Sequence, residues 1–442
     1  MKVLKFGGTS VGSPERMKSV CQLIHDGEQK IVVLSAMSGT TNQLVEIADY
    51  IQKNNPEAAN NIINKLRNTY LHHVEELYAT EDAAEKTRTL LNDIFRHLHN
   101  LTTEEFTPAL EKEILAQGEL MSTNMVTNYL VEQGVKVKLI GALHYMKTDA
   151  NGEPDQPHIK KNLTAILERH PDYELYITQG FICLNHLGQT DNLQRGGSDY
   201  TACLIGAAVY ADEIQIWTDI DGMHNNDPRF VENTSPVRQL NFEEAAELAY
   251  FGAKILHPTC IQPARYAGVP VRLLNTMDPS APGTIIDNRM QQGTIKAVAA
   301  KDGITAIKIV SSRMLLATGF LRKVFEIFER NQTPIDMVTT SEVGITVTID
   351  NSSRLVSIME ELRKYGTVET DPDMCIICVV GDLRWGNVGY ESLVSQALSN
   401  VPVRMISYGG SNHNISLLVR EADKKAALCA LSNKLFVTGN NA

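Results

Sequence analysis

The chain opens on a strand that runs straight into two glycines, Lys2-Val-Leu-Lys-Phe-Gly-Gly-Thr-Ser-Val-Gly12. Val3 and Leu4 begin an apolar strand, Lys5 is its last strong side chain, and the backbone narrows at Gly7-Gly8. Ser13-Pro14-Glu15 then reads as an N-cap, a proline at the first helical position and an acid in the first turn. A second apolar strand over 31–34 ends in Ser35-Ala-Met-Ser-Gly-Thr-Thr-Asn42, again small and rich in hydroxyls, before another helix. Strands apolar on both faces and alternating with helices require a parallel sheet covered on two sides. Ligands of such sheets gather beyond the carboxyl ends of the strands, where both loops fall.

The first loop has two readings. Strand, glycines, hydroxyls and helix start make an anion cradle, since bare backbone N–H groups and the helix dipole both favour phosphate. The same residues also make an ordinary glycine turn with an incidental lysine. It is not a Walker A loop, because the lysine precedes the glycines. A chain of 442 residues implies two or three domains. With 41 basic against 52 acidic residues, nothing suggests a polyanion partner, so a phosphate ligand must be held by a few local cations. No apolar run of about 18 residues and no signal-peptide-like start is present, which predicts a cytoplasmic enzyme or binding protein with no nucleic-acid or membrane partner. Seven scattered cysteines suit a reducing compartment. Cys375 and Cys378 lie in an apolar run where strand geometry would point them to opposite faces, so both read as structural.

Residues 51–105 are polar and helix-prone, with Leu66, Tyr70, Leu71, Val74 and Leu77 at helical spacing, and read as a helical insertion. His72, His73, His97 and His99 within it read as solvated surface rather than a metal site. A long helix follows over 109–131, interrupted by Gly118-Glu119. That pair is either an exposed break or a carboxylate aimed into a pocket, and sequence alone leans to the break. The stretch 193–202, Leu-Gln-Arg-Gly-Gly-Ser-Asp-Tyr-Thr-Ala, leads into an alanine-rich buried helix that Ser198 or Asp199 would cap. Capping accounts for those two residues without chemistry, but not for Arg195 directly before the glycines. The strand 213–217 ends in Thr218-Asp-Ile-Asp-Gly222, which suits a Mg²⁺ or ribose contact and equally an ordinary turn. Asn226-Asp-Pro-Arg229 and Phe251-Gly-Ala-Lys-Ile-Leu-His-Pro258 add two further cations.

From 304 onward the pattern repeats at seventy residues: Ile307, Val324, Ile345, Val347, Ile349 and Arg354 recur as Ile377, Val394, Ile415, Leu417, Val419 and Lys424. Each unit reads strand-helix-strand-strand-helix-strand, the ferredoxin-like arrangement. A duplicated small α+β module behind a catalytic-looking domain suggests a sensor that pairs with itself or with another chain.

Lys5-Phe-Gly-Gly-Thr-Ser, Gly118-Glu119, Arg195-Gly-Gly-Ser-Asp199, Thr218-Asp-x-Asp-Gly222, Asp227-Pro-Arg229 and Phe251-Gly-Ala-Lys-Ile-Leu-His-Pro258 together resemble aspartate kinase, in that order and over essentially the full chain. The tail resembles that family's paired ACT domains, and the length with the 51–105 insertion is like its monofunctional lysine-sensitive members. The resemblance implies an α/β three-layer sandwich with a mainly parallel sheet, the amino acid kinase fold, over 1–293. Two ferredoxin-like ACT domains would follow at 294–371 and 372–442, contiguous or nested. It also implies MgATP-dependent phosphorylation of the β-carboxylate of L-aspartate, the first step of lysine, threonine and methionine biosynthesis. L-lysine would be the allosteric inhibitor, and the assembly a homodimer or homotetramer through the ACT domains. The residue chemistry fits independently. An acceptor carboxylate is already ionised at neutral pH, so cations, N–H groups and a metal are needed, and no general base.

By the resemblance, Lys5 and Asp199 are catalytic, with Gly7 and Gly8 against the γ-phosphate. Thr41, Glu119, Arg195, Gly196, Gly197 and Ser198 would bind aspartate. Thr218, Asp219, His224, Arg229, Lys254 and Ile255 would hold the nucleotide, and Mg²⁺ would arrive with ATP rather than on protein ligands. The lysine site would be Met314, Ala317, Phe320, Leu321, Asp336, Ser341 and Glu342. His224 stands where a tyrosine is common, Gln194 where a glycine is usual, and Ala317 and Pro334 where polar residues are usual. Two alternatives carry distinct tests: a kinase of the same fold acting on glutamate, carbamate or a nucleotide, and a non-catalytic amino-acid sensor that makes no acyl phosphate.

Overall fold

A computed structural model describes residues 1–193, 196–252, 256–311 and 318–437. The chain divides into two compact units, Met1–Met223 with Ile255–Asn288, and His224–Lys254 with Arg289–Ala442. Helices and strands are numbered along the chain.

The first unit contains β1 (Lys2–Phe6), α1 (Pro14–Ile24), β2 (Lys30–Leu34), α2 (Thr40–Gln52), α3 (Pro56–Leu77), α4 (Glu81–Leu101), α5 (Pro108–Glu132), β3 (Val137–Ile140), α6 (Gln156–Arg169), β4 (Leu175–Gln179), β5 (Ile182–Leu184), β6 (Thr190–Asn192), α7 (Gly197–Val209), β7 (Ile214–Thr218), α9 (Gln262–Ala267), β9 (Val271–Asn275) and β10 (Thr284–Asp287). Its strands order as β3-β4-β2-β1-β7-β9-β10. The first six run parallel and β10 returns antiparallel to β9, so the expected mainly parallel sheet is present. The helix starts follow their capping residues: Ser13, Asn55, Thr80 and Thr107 each accept a backbone N–H, and Pro14, Pro56 and Pro108 take the first turn.

Leu4, Phe6, Val32 and Leu34 share one core with α1, α2, α5 and the α3–α4 pair. By alternation along β1, Lys5 points to the opposite face of the sheet. The α3–α4 helices are not a solvated appendage, because Ile63, Leu66, Tyr70, Val74, Leu91, Phe95 and Leu98 are buried in that same core. Of the four histidines there, His72 alone is exposed; His97 is hydrogen-bonded to Glu113 at 2.8 Å and His99 to Asn60. Helix α5 runs unbroken through Gly118-Glu119.

The second unit carries β8 (Gln239–Asn241), α8 (Phe242–Tyr250), β11 (Ile295–Val310), α10 (Phe320–Arg330), β12 (Val338–Thr340), β13 (Gly344–Ile349), α11 (Leu355–Leu362), β14 (Thr367–Gly381), α12 (Tyr390–Ala397), β15 (Met405–Tyr408), β16 (Asn414–Arg420) and α13 (Lys424–Ser432). Six strands form one antiparallel sheet in the order β12-β13-β11-β14-β16-β15. The repeat is visible in it, with a connection between the modules that the repeat alone leaves open. β11 and β14 are long strands shared by both modules: 304–310 pairs with 367–374, whereas 295–301 pairs with 376–381. The strand that closes the second module is therefore the upstream segment 295–301, and after α13 the chain forms a helical turn instead of a strand. Each module has its own core, one around Ile307, Val324, Ile345 and Ile358, the other around Cys375, Ile377, Val394 and Leu417. Cys375, Ile377 and Val379 face the second core and Cys378 is not part of it, as strand alternation requires.

Candidate active site

Four parallel strands end side by side in loops built from small residues: β1 in Gly7-Gly8, β2 in Ser35–Gly39, β4 in Gly180-Phe181 and β7 in Thr218–Gly222. Backbone bonds stitch them together. Ser35 N–H donates to Phe6 O at 3.2 Å, Ser38 N–H to Gly8 O at 3.1 Å, and Gly180 N–H to Leu34 O at 2.9 Å. Gly8 is required by this contact, since a Cβ there would stand 2.8 Å from Ala36 O. Gly7 differs: a Cβ there would meet Lys5 Nζ at 3.5 Å and little else, so the missing side chain leaves room beside the ammonium.

Lys5 Nζ lies 2.7 Å from Asp199 Oδ1, both side chains largely buried. Asp199 does not cap α7. The helix begins at Gly197, its N-cap is Gly196 in the left-handed region (φ 74°), and no side chain makes a capping bond. This corrects the capping reading of Ser198 and Asp199, and the reason is steric. Only glycine fits at 196, where a Cβ would fall 1.8 Å from Cys260 Sγ, so the turn is made by backbone and the two polar side chains are released for other work. Ser198 Oγ accepts a hydrogen bond from Ser35 Oγ at 2.9 Å, which leaves its own proton available to donate. Phe181, also left-handed (φ 66°), packs on Gly197, and its N–H donates to Thr201 Oγ1 at 3.0 Å.

Glu119 corrects a second expectation. It is 5% exposed, and its Oε1 accepts the Ala36 N–H at 3.1 Å. Burial pushes its carboxyl up to about 7, against the opposing pull of N–H bonds and of the Lys5 charge. Gly118 is the contact that brings it in. A Cβ at 118 would stand 2.7 Å from the Ala36 Cβ and 3.3 Å from Thr40 Cγ2, so α5 lies directly against the second loop. Thr41, at the start of α2, is exposed.

Thr218 closes a tight turn by accepting the Ile220 N–H at 3.1 Å, Asp221 accepts the Gly283 N–H at 3.0 Å, and Asp219 is exposed. Asp221 thus serves the turn, whereas Asp219 faces solvent. In the second unit, His224 is hydrogen-bonded to Thr234 at 3.1 Å, and the exposed Arg229 is gripped by Asp227 at 2.6 Å. Phe320 lies in the first module's core, while Leu321, Ser341 and Glu342 are exposed. Asp336, with 1% of its side chain exposed, contacts Lys301 Nζ and accepts from Tyr250 Oη, each at 2.7 Å. Arg195, Lys254, Ile255, Met314 and Ala317 lie outside the described residues. Among the described residues no group of three or more His, Cys, Asp or Glu is arranged to hold a metal, and no helix is long and apolar enough to cross a membrane.

Sequence reasoning passed over Ser35, Thr40, Phe181 and Cys260. The positive φ at Phe181 has no sequence signal. Ser35 was visible only as one hydroxyl of a hydroxyl-rich loop.

The sequence model of the Amino acid kinase family matches residues 1–275, and that of an ACT domain matches 377–435. The chain is 36% identical to aspartokinase 1, chloroplastic, of Arabidopsis thaliana, over 99% of this chain and 80% of that one. It is 33% identical to lysine-sensitive aspartokinase 3 of Escherichia coli strain K12, over 98% and 99% of the two chains. The crystal structure of E. coli aspartokinase III in complex with aspartate and ADP, in its R-state, superposes with a TM-score of 0.84, at 33% identity, covering 99% of this chain and 100% of that one.

Proposed function

The chain belongs to the aspartokinase family, an aspartate kinase with a C-terminal ACT region, and on that premise we propose how its own residues carry the reaction. The substrates are L-aspartate and MgATP, and the β-carboxylate of aspartate receives the γ-phosphoryl group. The observation that carries the residue assignment is the 2.7 Å contact between Lys5 and Asp199, at the ends of elements distant in sequence.

The acceptor is an anion at neutral pH, so the task is to bring it to a triphosphate and to balance charge in flight. Lys5 supplies the cation at the transferring group, and Asp199 holds the ammonium in place. Room beside Lys5 Nζ is kept open by Gly7. Glu119 receives the α-ammonium of aspartate. Burial raises its carboxyl to about 7, and an arriving ammonium favours the ionised form. Ser198, already accepting from Ser35, donates to a substrate carboxylate, as do Thr41 and Arg195. Gly196 and Gly197 present N–H groups at the start of α7. Thr218 and Asp219, at the end of β7, lie where a nucleotide meets a parallel sheet. When bound, MgATP brings the metal that neutralises its own phosphates.

We further propose feedback inhibition by L-lysine, with Phe320, Leu321, Asp336, Ser341 and Glu342 forming part of its site. Support comes from the buried Asp336 carboxylate and from the lysine-sensitive relative. All seven cysteines are free thiols, which supports a cytoplasmic location.

The test is trapping of aspartyl phosphate with hydroxylamine. Aspartate, not glutamate, is the expected acceptor. Lys5→Ala and Asp199→Ala should each lower kcat by about 1,000-fold with the fold intact. Near-normal turnover in either variant, or a preference for glutamate, would overturn the assignment.

A further inference from the structure

Helix α2 starts without a side-chain cap. Its N-cap is Gly39 in the left-handed region (φ 82°), and only backbone bonds close the turn. Its first residue is held by a buried side-chain hydrogen bond: Thr40 Oγ1 and Tyr70 Oη share it at 2.8 Å. Both residues are at most 2% exposed, so neither hydroxyl has water as an alternative. The Tyr70 ring is in turn braced edge-on by Phe95 of α4, with centroids 6.0 Å apart. On its other side, Thr40 Cγ2 abuts the Gly118 backbone of α5, beside Ala36.

The segment clamped in this way is the second loop. It carries the Ala36 N–H that holds Glu119 at 3.1 Å, and it ends in the exposed Thr41. We propose that Tyr70 is a positioning residue for the aspartate site, fixing Thr40 and thereby both Thr41 and the N–H that orients Glu119. The α3–α4 helices, none of whose residues is assigned to substrate, then act as the scaffold of substrate binding. The inference rests on the reading that puts aspartate at Glu119 and Thr41, and it predicts a selective kinetic signature. The loop's bonds to Phe6 O and Gly8 O are made by the Ser35 and Ser38 N–H groups and not by Thr40. Lys5 and Asp199 keep their own 2.7 Å contact on β1 and α7, so loss of the Tyr70 bond falls chiefly on the amino-acid subsite.

Tyr70→Phe removes one oxygen and little volume. It should raise the KM for aspartate about tenfold, with kcat and the KM for MgATP within about twofold of wild type. Thr40→Val, near-isosteric, should do the same, and Thr40→Ser, which keeps the oxygen, should stay within about twofold for aspartate. An unchanged aspartate KM in both Tyr70→Phe and Thr40→Val overturns the proposal. So does a parallel loss in all three constants, which a merely structural role would give. Glu119→Gln is the companion measurement. If it leaves the aspartate KM unchanged, the underlying site reading has failed. If it raises that KM while Tyr70→Phe does not, only the positioning role has failed.

Discussion

The two modules of the regulatory unit share a topology and differ in sign. Strand register sets the equivalence: Asp336 N–H donates to Thr348 O, Arg404 N–H donates to Leu418 O, and residues 348 and 418 are seventy apart. Asp336 of the first module therefore stands where Arg404 stands in the second. Their partners are also seventy apart: Lys301 lies 2.7 Å from Asp336, and Asp371 lies 2.9 Å from Arg404. The same ion pair is built twice with its polarity reversed. Its surroundings differ as much as its sign. The Asp336 side chain is 1% exposed, contacts Tyr250 Oη, and faces a lysine that also lies 4.3 Å over the Tyr250 ring and pairs with Asp350. Arg404 and Asp371 are 36% and 46% exposed. A duplicated fold thus yields one buried anionic position, suited to a cationic ligand, and one solvated pair that is not.

The contrast is broken most directly at the acid. Asp336→Asn should weaken inhibition by L-lysine about 100-fold while leaving uninhibited turnover near wild type, because an effector acts only through its differential contacts. Arg404→Met should leave inhibition within about twofold. Equal effects of the two would mean that the modules are not functionally distinct. Lys301 offers a finer cut, since it occupies the carboxylate that an external ammonium would seek. Lys301→Met leaves Asp336 buried without its cation, at a cost of roughly 3–5 kcal/mol. L-lysine at millimolar concentration should recover much of the lost melting temperature by binding the folded state. Asp371→Asn, at the solvated pair, should cost less than about 1 kcal/mol and show no such recovery. Thermal melts with and without lysine check both.

What sequence reading reached, and what it missed, follows from the range of the interactions involved. The parallel sheet and its loop-bearing strand ends were legible because apolar runs and glycines are local signals. The repeat was legible because two copies betray a shared period. Lys5 and Asp199 were both named, but their contact is made by β1 and α7 only when the sheet assembles. The capping reading of Ser198 and Asp199 fails because Cys260, far along the chain, decides that position 196 must be a left-handed glycine. Gly118 looked like a break because periodicity shows a missing side chain, not the loop pressed against it. The closing strand of the second module was illegible for the same reason: 295–301 precedes the first module, and no local pattern states which half of β14 it will pair with.

Glu119 extends the contrast to the catalytic unit. The ion pairs of the regulatory unit are answered internally, whereas among the described residues no cation is ion-paired to Glu119, and its charge awaits a ligand. Its carboxyl is raised from 4.5 to about 7, chiefly by burial. The sign of the consequence follows from linkage. The unfolded chain releases this proton near pH 4.5 and the native state keeps it to about pH 7. The stability due to the buried neutral acid is therefore fully present below about pH 4.5, and it is lost as pH rises through 7. The loss is at most on the order of 3 kcal/mol. Glu119→Gln cannot ionise, so its melting temperature should match wild type near pH 5 and exceed it by about 5 °C at pH 8. Saturating aspartate should raise the wild type at pH 8 and close that gap, because a bound ammonium stabilises the carboxylate, whereas the variant should gain little. A gap independent of pH, or one of opposite sign, would show that Glu119 is not the uncompensated buried acid on which the contrast between the two units depends.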